Sequence, residues 1–287
     1  MSESLARFIT RHKRRLEAAG IDHAANEIEI ILGHLLEVDR MHLYLDGLES
    51  FDENAEAQFE AIMERRLTRE PLQYILREGW FYGRTFLVTP AVMAPTPETE
   101  TLCETAMGYL KESGISTPRI LDVGVGSGVI AVTLANEIPD STVVALDISP
   151  DALEIARHNA AELGGFERMS FRQSDMFAAV EPDERFEIII SNPPYIAEPD
   201  YADLPPEVKA DPKIAMTAGP EGMDIIARLI DAAPDFLAER GRLLFEVGWD
   251  QAEKVAALTD NDPRYTSLNI YKDLNDIERI IMLGCDR

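Results

Sequence analysis

From Leu5 to Arg69 apolar residues recur at helical spacing, as in Ala25, Ile28, Ile31, Leu32, Leu35 and Leu36, and glycines are few. A stripe that returns every three to four residues buries one face of a helix, so this stretch predicts a small helical bundle. Over Trp80 to Val88 the pattern changes to alternation about Gly83, which predicts a β-hairpin, and Pro90, Pro95 and Pro97 then mark a stiff connection. Beyond Glu98, short apolar runs alternate with helical stretches: Arg119 to Val123, Thr142 to Leu146, Phe186 to Ile190 and Gly241 to Val247. That alternation predicts an α/β domain, a parallel sheet with helices on both faces. The runs Ser267 to Tyr271 and Ile277 to Leu283 are separated only by turn residues and predict an antiparallel hairpin at a sheet edge. The expected organisation is a helical domain over 1–77, hairpin and linker over 78–97, and an α/β domain over 98–287.

Composition narrows the setting. The 287 residues are 46% hydrophobic, enough for a sizeable core, and no stretch has the ~20 continuous apolar residues of a membrane span. The opening Met1 to Phe8 lacks an apolar signal core, so a cytoplasmic protein is expected. Cys103 and Cys285 stand far apart without a Cys-x-x-Cys or a neighbouring His, and His12, His23, His34, His42 and His158 form no ligand-spaced cluster. Thiols are expected, with neither a disulfide framework nor a metal site. A net charge of −25, from 27 basic and 52 acidic residues, repels a phosphate backbone and argues against direct nucleic-acid binding. Arg65, Arg66 and Arg69 form the one basic run that stands out as a candidate patch, and such a run is more often a solvated helix face.

Three features after strand-like runs carry candidate chemistry. The first is Gly124-Val125-Gly126-Ser127-Gly128, a glycine turn between a strand and a helix start. It is either a structural tight turn or a place where backbone approaches a ligand and helix N-terminal amides meet a polar group. Its Gly-x-Gly-x-Gly spacing fits an adenosine ligand without a pyrophosphate better than a dinucleotide. The second is Asp147, ending the next strand about 20 residues on, where a carboxylate accepts ribose hydroxyls or caps the following helix. Ser149 suits the capping better. In a later strand-end loop, Asp175 and Met176 are candidates for the adenine, although Asp in a loop and Met in a core are commonplace.

The third feature is Asn192-Pro193-Pro194-Tyr195, after Phe186 to Ile190. Two prolines remove amide donors, so the strand end is rich in acceptors. It is a proline turn, or a pocket in which the Asn192 side-chain oxygen and the Pro193 carbonyl hold both hydrogens of a planar NH2 group. Tyr195 would then form a flat wall beside it.

These residues resemble class I methyltransferases that use S-adenosyl-L-methionine, and within them the enzymes that methylate amino nitrogens. More closely, the chain is similar over nearly its whole length to the peptide chain release factor N(5)-glutamine methyltransferase family. The similarity includes Glu70-Pro71-Leu72-Gln73-Tyr74-Ile75, Phe81, Pro97-Glu98-Thr99-Glu100, the glycine loop, Asn192 to Tyr195, Asp211-Pro212 through Gly222, Phe245-Glu246-Val247-Gly248, and Asp273-Leu274 with Arg279. It implies a Rossmann-like, mostly parallel seven-stranded sheet with an antiparallel edge hairpin, behind a helical substrate-recognition domain. It implies a cofactor site at Gly124, Val125, Gly126, Ser127, Gly128, Asp147, Asp175, Met176 and Asn192, with S-adenosylhomocysteine as product. Catalysis is implied at Asn192, Pro193, Pro194 and Tyr195.

The implied reaction moves a methyl group to the side-chain amide nitrogen of glutamine in the Gly-Gly-Gln tripeptide of release factors, the expected protein partners of a monomeric enzyme. Three positions depart from the family: Thr96 stands where arginine is usual, and Arg77 and Asp276 replace glycines. They bear on substrate docking more than on the cofactor. The same tetrapeptide serves adenine and cytosine amino methyltransferases, so another protein glutamine or a nucleic-acid adenine is the rival substrate, and a non-catalytic binding protein the rival role. Glu246 is read as a structural carboxylate outside the site.

Overall fold

The computed structural model of the chain describes residues 4–47, 51–260 and 262–286, so residues 1–3, part of the argument against a leader, lie outside the described residues. The chain divides into two compact units, Met1–Glu78 with Pro205–Ala210, and Gly79–Leu204 with Asp211–Arg287. The hairpin and proline-rich segment group with the second unit, and a short piece from the far side of the Asn-Pro-Pro-Tyr motif groups with the first.

The first unit contains α1 (Leu5–Ala18), α2 (Ala24–Leu36), α3 (Arg40–Asp46), α4 (Glu53–Leu67) and α5 (Leu72–Leu76). Its core is the helical stripe of the sequence, with Leu16, Ile28, Ile31, Leu32, Phe59 and Met63 fully buried. Asp39 and Asp52 cap α3 and α4, each accepting a backbone N–H at 2.8 Å. Of the basic run, Arg65 stays on the solvated surface whereas Arg66 is buried. Arg66 is only 4% exposed and donates to Glu27 at 2.7 Å and to Glu207 at 3.0 Å. Arg69 donates to Glu207 at 2.6 Å and Arg65 to Glu70 at 2.9 Å. Burying a guanidinium requires such carboxylates, which cancel the charge a nucleic-acid backbone would read.

The second unit opens with a two-stranded hairpin, β1 (Glu78–Phe81) and β2 (Arg84–Leu87). Then follow α6 (Glu98–Ser113), β3 (Arg119–Val123), α7 (Val129–Glu137), β4 (Thr142–Asp147), α8 (Pro150–Leu163), β5 (Met169–Gln173) and β6 (Phe186–Ser191). The chain ends with α9 (Asp224–Ala232), β7 (Leu237–Glu246), α10 (Ala252–Thr259), β8 (Ser267–Lys272) and β9 (Glu278–Gly284). Seven strands form one sheet in the order β5-β4-β3-β6-β7-β9-β8, parallel from β5 to β7 and antiparallel at β7/β9 and β9/β8. Separate apolar clusters cover its two faces. Strand order reverses between β3 and β6, and a crevice at the carboxyl ends of the strands is expected at such a switch point. The register Ile120↔Ile188 and Asp122↔Ile190 brings the ends of β3 and β6 side by side. The glycine loop and Asn192 therefore leave the sheet as neighbours.

Two family departures take on a local meaning. Arg77, at the end of α5, and Asp276, between β8 and β9, have φ of 60° and 63°. The left-handed region favours glycine and costs other residues about 1 kcal/mol, so Arg77 and Asp276 load two turns; Asp276 also accepts from Lys272 at the end of β8 at 2.9 Å.

The segment beyond Tyr195 is tied back on itself. Ile196 N–H donates to the Met216 carbonyl at 2.8 Å, Ala218 N–H to the Ile196 carbonyl at 3.0 Å, and Gln251 Nε2 to the Tyr195 carbonyl at 2.9 Å. Gly222 has φ 71°, and a Cβ there would lie 2.2 Å from the Tyr195 carbonyl oxygen. Gly222→Ala is expected to destabilise the fold by about 2–4 kcal/mol and to displace the Asn-Pro-Pro-Tyr turn. Urea unfolding checks this; an unchanged midpoint would show that the turn yields freely.

Candidate active site

A cavity of about 570 Å³ opens at the switch point, lined by the glycine loop, the end of β4, the loop after β5 and the start of the Asn-Pro-Pro-Tyr turn. Gly124, Val125, Gly126, Ser127, Asp147, Asp175, Met176, Asn192, Pro193 and Pro194 all line it. Gly128 and Tyr195 do not. Gly128 begins α7 with φ 87°, and a Cβ there would press on Ala156 at 3.3 Å, so it serves helix packing. The Tyr195 ring packs on the core beneath α9 and β7, and its hydroxyl donates to Glu246 Oε1 at 3.3 Å. The flat wall expected of Tyr195 is therefore not on the cavity surface.

The glycine loop differs from expectation in its donors. The N–H groups of Gly124 and Val125 both donate to the Leu146 carbonyl at 2.8 Å, Gly126 N–H to Asp147 Oδ2 at 2.9 Å, and Gly128 N–H to the Val125 carbonyl at 2.8 Å. These amides are spent within the protein. What the loop offers is room: Gly124 and Gly126 have φ of 83° and 54°, and a Cβ on either would meet nothing within 4 Å. Side chains at these positions would fill the cavity.

Asp147 organises this end. Its Oδ2 holds Gly126 N–H and its Oδ1 holds Ser149 N–H, each at 2.9 Å, while Ser149 Oγ caps α8 by accepting from Ala152 N–H at 3.2 Å. Each carboxylate oxygen keeps a second lone pair for a ligand hydroxyl. Ser174 Oγ donates to the Met176 carbonyl at 2.7 Å and fixes Met176 at φ 52°, and Asp175 accepts from Arg228 at 2.8 Å. The cavity thus offers a carboxylate acceptor, an apolar Met and, at Gly124 and Gly126, room that side chains would otherwise take.

Behind the loop lies Asp122, fully buried, with Oδ2 accepting from Ala131 N–H at 3.1 Å and Oδ1 without a hydrogen-bond partner among the described residues. Burial, with the charge of Asp147 beside it, raises its carboxyl from 3.8 to about 8. Between those values the folded chain holds a proton that the unfolded chain has released, so stability falls as pH rises through this window. Asp122→Asn is expected to flatten that fall, which one group sets at up to about 1.4 kcal/mol per pH unit. Urea denaturation from pH 5 to 8 checks it; an unchanged slope assigns the proton elsewhere.

At the opposite end, Asn192 Nδ2 donates to Thr99 Oγ1 at 3.0 Å, and Thr99 Oγ1 donates to Glu246 Oε2 at 2.8 Å. Thr99 lies in the first turn of α6, and Glu246, 2% exposed, ends β7. The Thr96 hydroxyl sits 3.3 Å from that of Thr99. Thr99 itself, with Pro90, Ala91, Val92, Met93 and Pro95 from the segment read as a mere connection, also lines the cavity. Sequence reasoning left these residues out of the site. The signals were Thr99 inside Pro97-Glu98-Thr99-Glu100 and an acid ending an otherwise apolar strand.

A sheet of this order, with a glycine-rich loop lining the cavity after β3 and the Asn-Pro-Pro-Tyr turn after β6, belongs to a class I methyltransferase that uses S-adenosyl-L-methionine. The solved catalytic domain of hMettl16, in complex with MAT2A 3′UTR hairpin 6, shares the fold at a TM-score of 0.58, with 12% identity over 83% of each chain. Residues 8–76 match the PrmC N-terminal domain and residues 103–203 the methyltransferase small domain. Release factor glutamine methyltransferases are similar along the chain: that of Cereibacter sphaeroides is 40% identical, over 93% of both chains. Those of Chlorobaculum tepidum and Nitratidesulfovibrio vulgaris are 39% and 37% identical, covering 90% of both chains and 98% of this chain with 95% of the relative. The chain belongs to the release factor glutamine methyltransferase family.

Proposed function

We propose that this enzyme methylates the side-chain amide nitrogen of the glutamine in the Gly-Gly-Gln tripeptide of peptide chain release factors. The observation that carries this reading is one cavity with the glycine cradle and Asp147 at one end and Asn192 with Pro193 at the other. S-adenosyl-L-methionine supplies an electrophilic methyl group when bound. In this reading Asp147 accepts the ribose hydroxyls, and Asp175 and Met176 flank the base. Asn192 and the Pro193 carbonyl accept the two hydrogens of the substrate amide. An amide nitrogen is a weak nucleophile because its lone pair is shared with its carbonyl, so the chain contributes alignment and acceptors. As the nitrogen gives up lone-pair density its hydrogens become more acidic, and both hydrogen bonds strengthen in the transition state. The proton displaced from nitrogen passes to water.

The net charge of −25 and the paired state of Arg66 and Arg69 favour a protein substrate over a nucleic acid. Among the described residues no helix is long and apolar enough to cross a membrane. A release-factor substrate places the enzyme in the cytoplasm, and a single chain carrying both ends of the cavity supports action as a monomer. Incubation with labelled S-adenosyl-L-methionine and a bacterial extract is expected to label release factors. Label on DNA or RNA adenine, or on ribosomal protein alone, would overturn the assignment.

A further inference from the structure

We propose that Glu246, acting through Thr99, is the positioning residue that sets which end of the Asn192 side-chain amide faces the substrate. This inference rests on amide methyl transfer as the reaction. A threonine hydroxyl has one proton to give and two lone pairs. The Thr99 proton goes to Glu246 Oε2 at 2.8 Å, because a carboxylate has none to offer in return. Toward Asn192, Thr99 therefore shows only lone pairs, and it is Nδ2, at 3.0 Å, that satisfies one of them. The second faces Thr96, whose hydroxyl at 3.3 Å becomes the donor, so the residue that departs from the family arginine completes the set. With Nδ2 held against α6, Oδ1 is the Asn192 atom left for the cavity that this residue lines.

Protonation reverses the chain of donors. A neutral Glu246 gives its proton to Thr99, the Thr99 hydroxyl turns to Asn192, and the amide satisfies it by presenting Oδ1. Nδ2 then faces the incoming NH2, donor against donor, and the substrate loses an acceptor while the fold keeps all its hydrogen bonds. The groups around Glu246 set where this happens. Burial raises its carboxyl to about 7, against the Thr99 hydrogen bond, Arg279 on β9 and the Tyr195 hydroxyl, while Glu98 in the first turn of α6 pushes the same way as burial. A sulfonium and a carboxamide do not titrate near that value; the α-amino group of the cofactor titrates about a unit above it and is common to the wild type and Glu246→Gln, so the difference between their profiles isolates Glu246.

The test is the pH dependence of kcat between pH 5.5 and 8.5 for the wild type, Glu246→Gln, Thr99→Val and Thr99→Ser, with cofactor affinity by calorimetry alongside. The wild type is expected to lose about tenfold in kcat per pH unit on the acid side of its midpoint. Glu246→Gln, which cannot titrate, is expected to lack that limb at whatever level it turns over. Thr99→Val is expected to lower kcat roughly 10–100-fold, Thr99→Ser to restore most of it, and cofactor affinity to stay within about threefold in all. Independently of turnover, the Asn192 side-chain NH2 resonance of nitrogen-15-labelled protein, assigned by its absence in Asn192→Ala, is expected to shift through the same midpoint and to stay fixed in Glu246→Gln. An acid limb that persists in Glu246→Gln, or wild-type kcat in Thr99→Val, overturns the proposal. A wild type that does not methylate a release factor at all fails the functional reading instead.

Discussion

Asn192→Ala is expected to lower turnover by about 10²–10³-fold while S-adenosyl-L-methionine affinity stays within about tenfold. The reason is where the side chain stands. It lines the cavity, yet its side-chain hydrogen bond runs to Thr99 and onward to Glu246, so its hydrogen bonding supports the acceptor end and not the glycine cradle. Truncation removes an acceptor whose bond strengthens as the substrate nitrogen is attacked, and such losses fall on kcat. It also leaves Thr99 with an empty lone pair, a small cost because the Thr99 proton remains with Glu246. Isothermal calorimetry for the cofactor and single-turnover methyl transfer separate the two effects. Retained turnover would remove the acceptor model, and lost cofactor binding would move Asn192 to the other end of the site.

The opposite pattern is expected for Asp147→Ala, with cofactor affinity weakened by at least about 100-fold. Two contributions converge. The carboxylate would accept the ribose hydroxyls, and charge-assisted hydrogen bonds are worth about 1.5–3 kcal/mol each. It also holds Gly126 N–H and Ser149 N–H at 2.9 Å, so its loss frees the loop whose missing Cβ atoms leave room for the ligand. Asp147→Asn serves as the finer probe. It keeps the shape but places an NH2 against a backbone donor, and it is expected to fall nearer to Ala than to wild type. Unchanged affinity in Asp147→Ala would contradict the ribose assignment.

Much of this architecture was legible because the two periodicities differ. Ile28, Ile31 and Leu32 mark a helix face, and the runs at Ile120, Val143 and Ile188 mark strands buried on both sides. The strand Met169–Gln173 left no such mark in the apolar pattern, since it is a half-buried edge carrying Ser170, Arg172 and Gln173. Glycine positions were legible as turns, but the destination of their amides was not: the Leu146 carbonyl and Asp147 claim them through tertiary pairing. The same holds for Arg66, whose sequence neighbours suggest a charged surface while Glu27 and Glu207, 39 and 141 residues away, neutralise it. Asn192 was recognisable as an acceptor from its prolines. What orients it lies 93 residues upstream in Thr99, and no local pattern announces that contact.

The central claim, methyl transfer to a glutamine amide held by Asn192 and the Pro193 carbonyl opposite the glycine cradle, is tested most directly by peptide mass spectrometry of a purified release factor after reaction with this enzyme and S-adenosyl-L-methionine. One added methyl on the glutamine of Gly-Gly-Gln, absent with Asn192→Ala, is the expected result. An unmodified tripeptide, or a methyl group on any other residue, would contradict it.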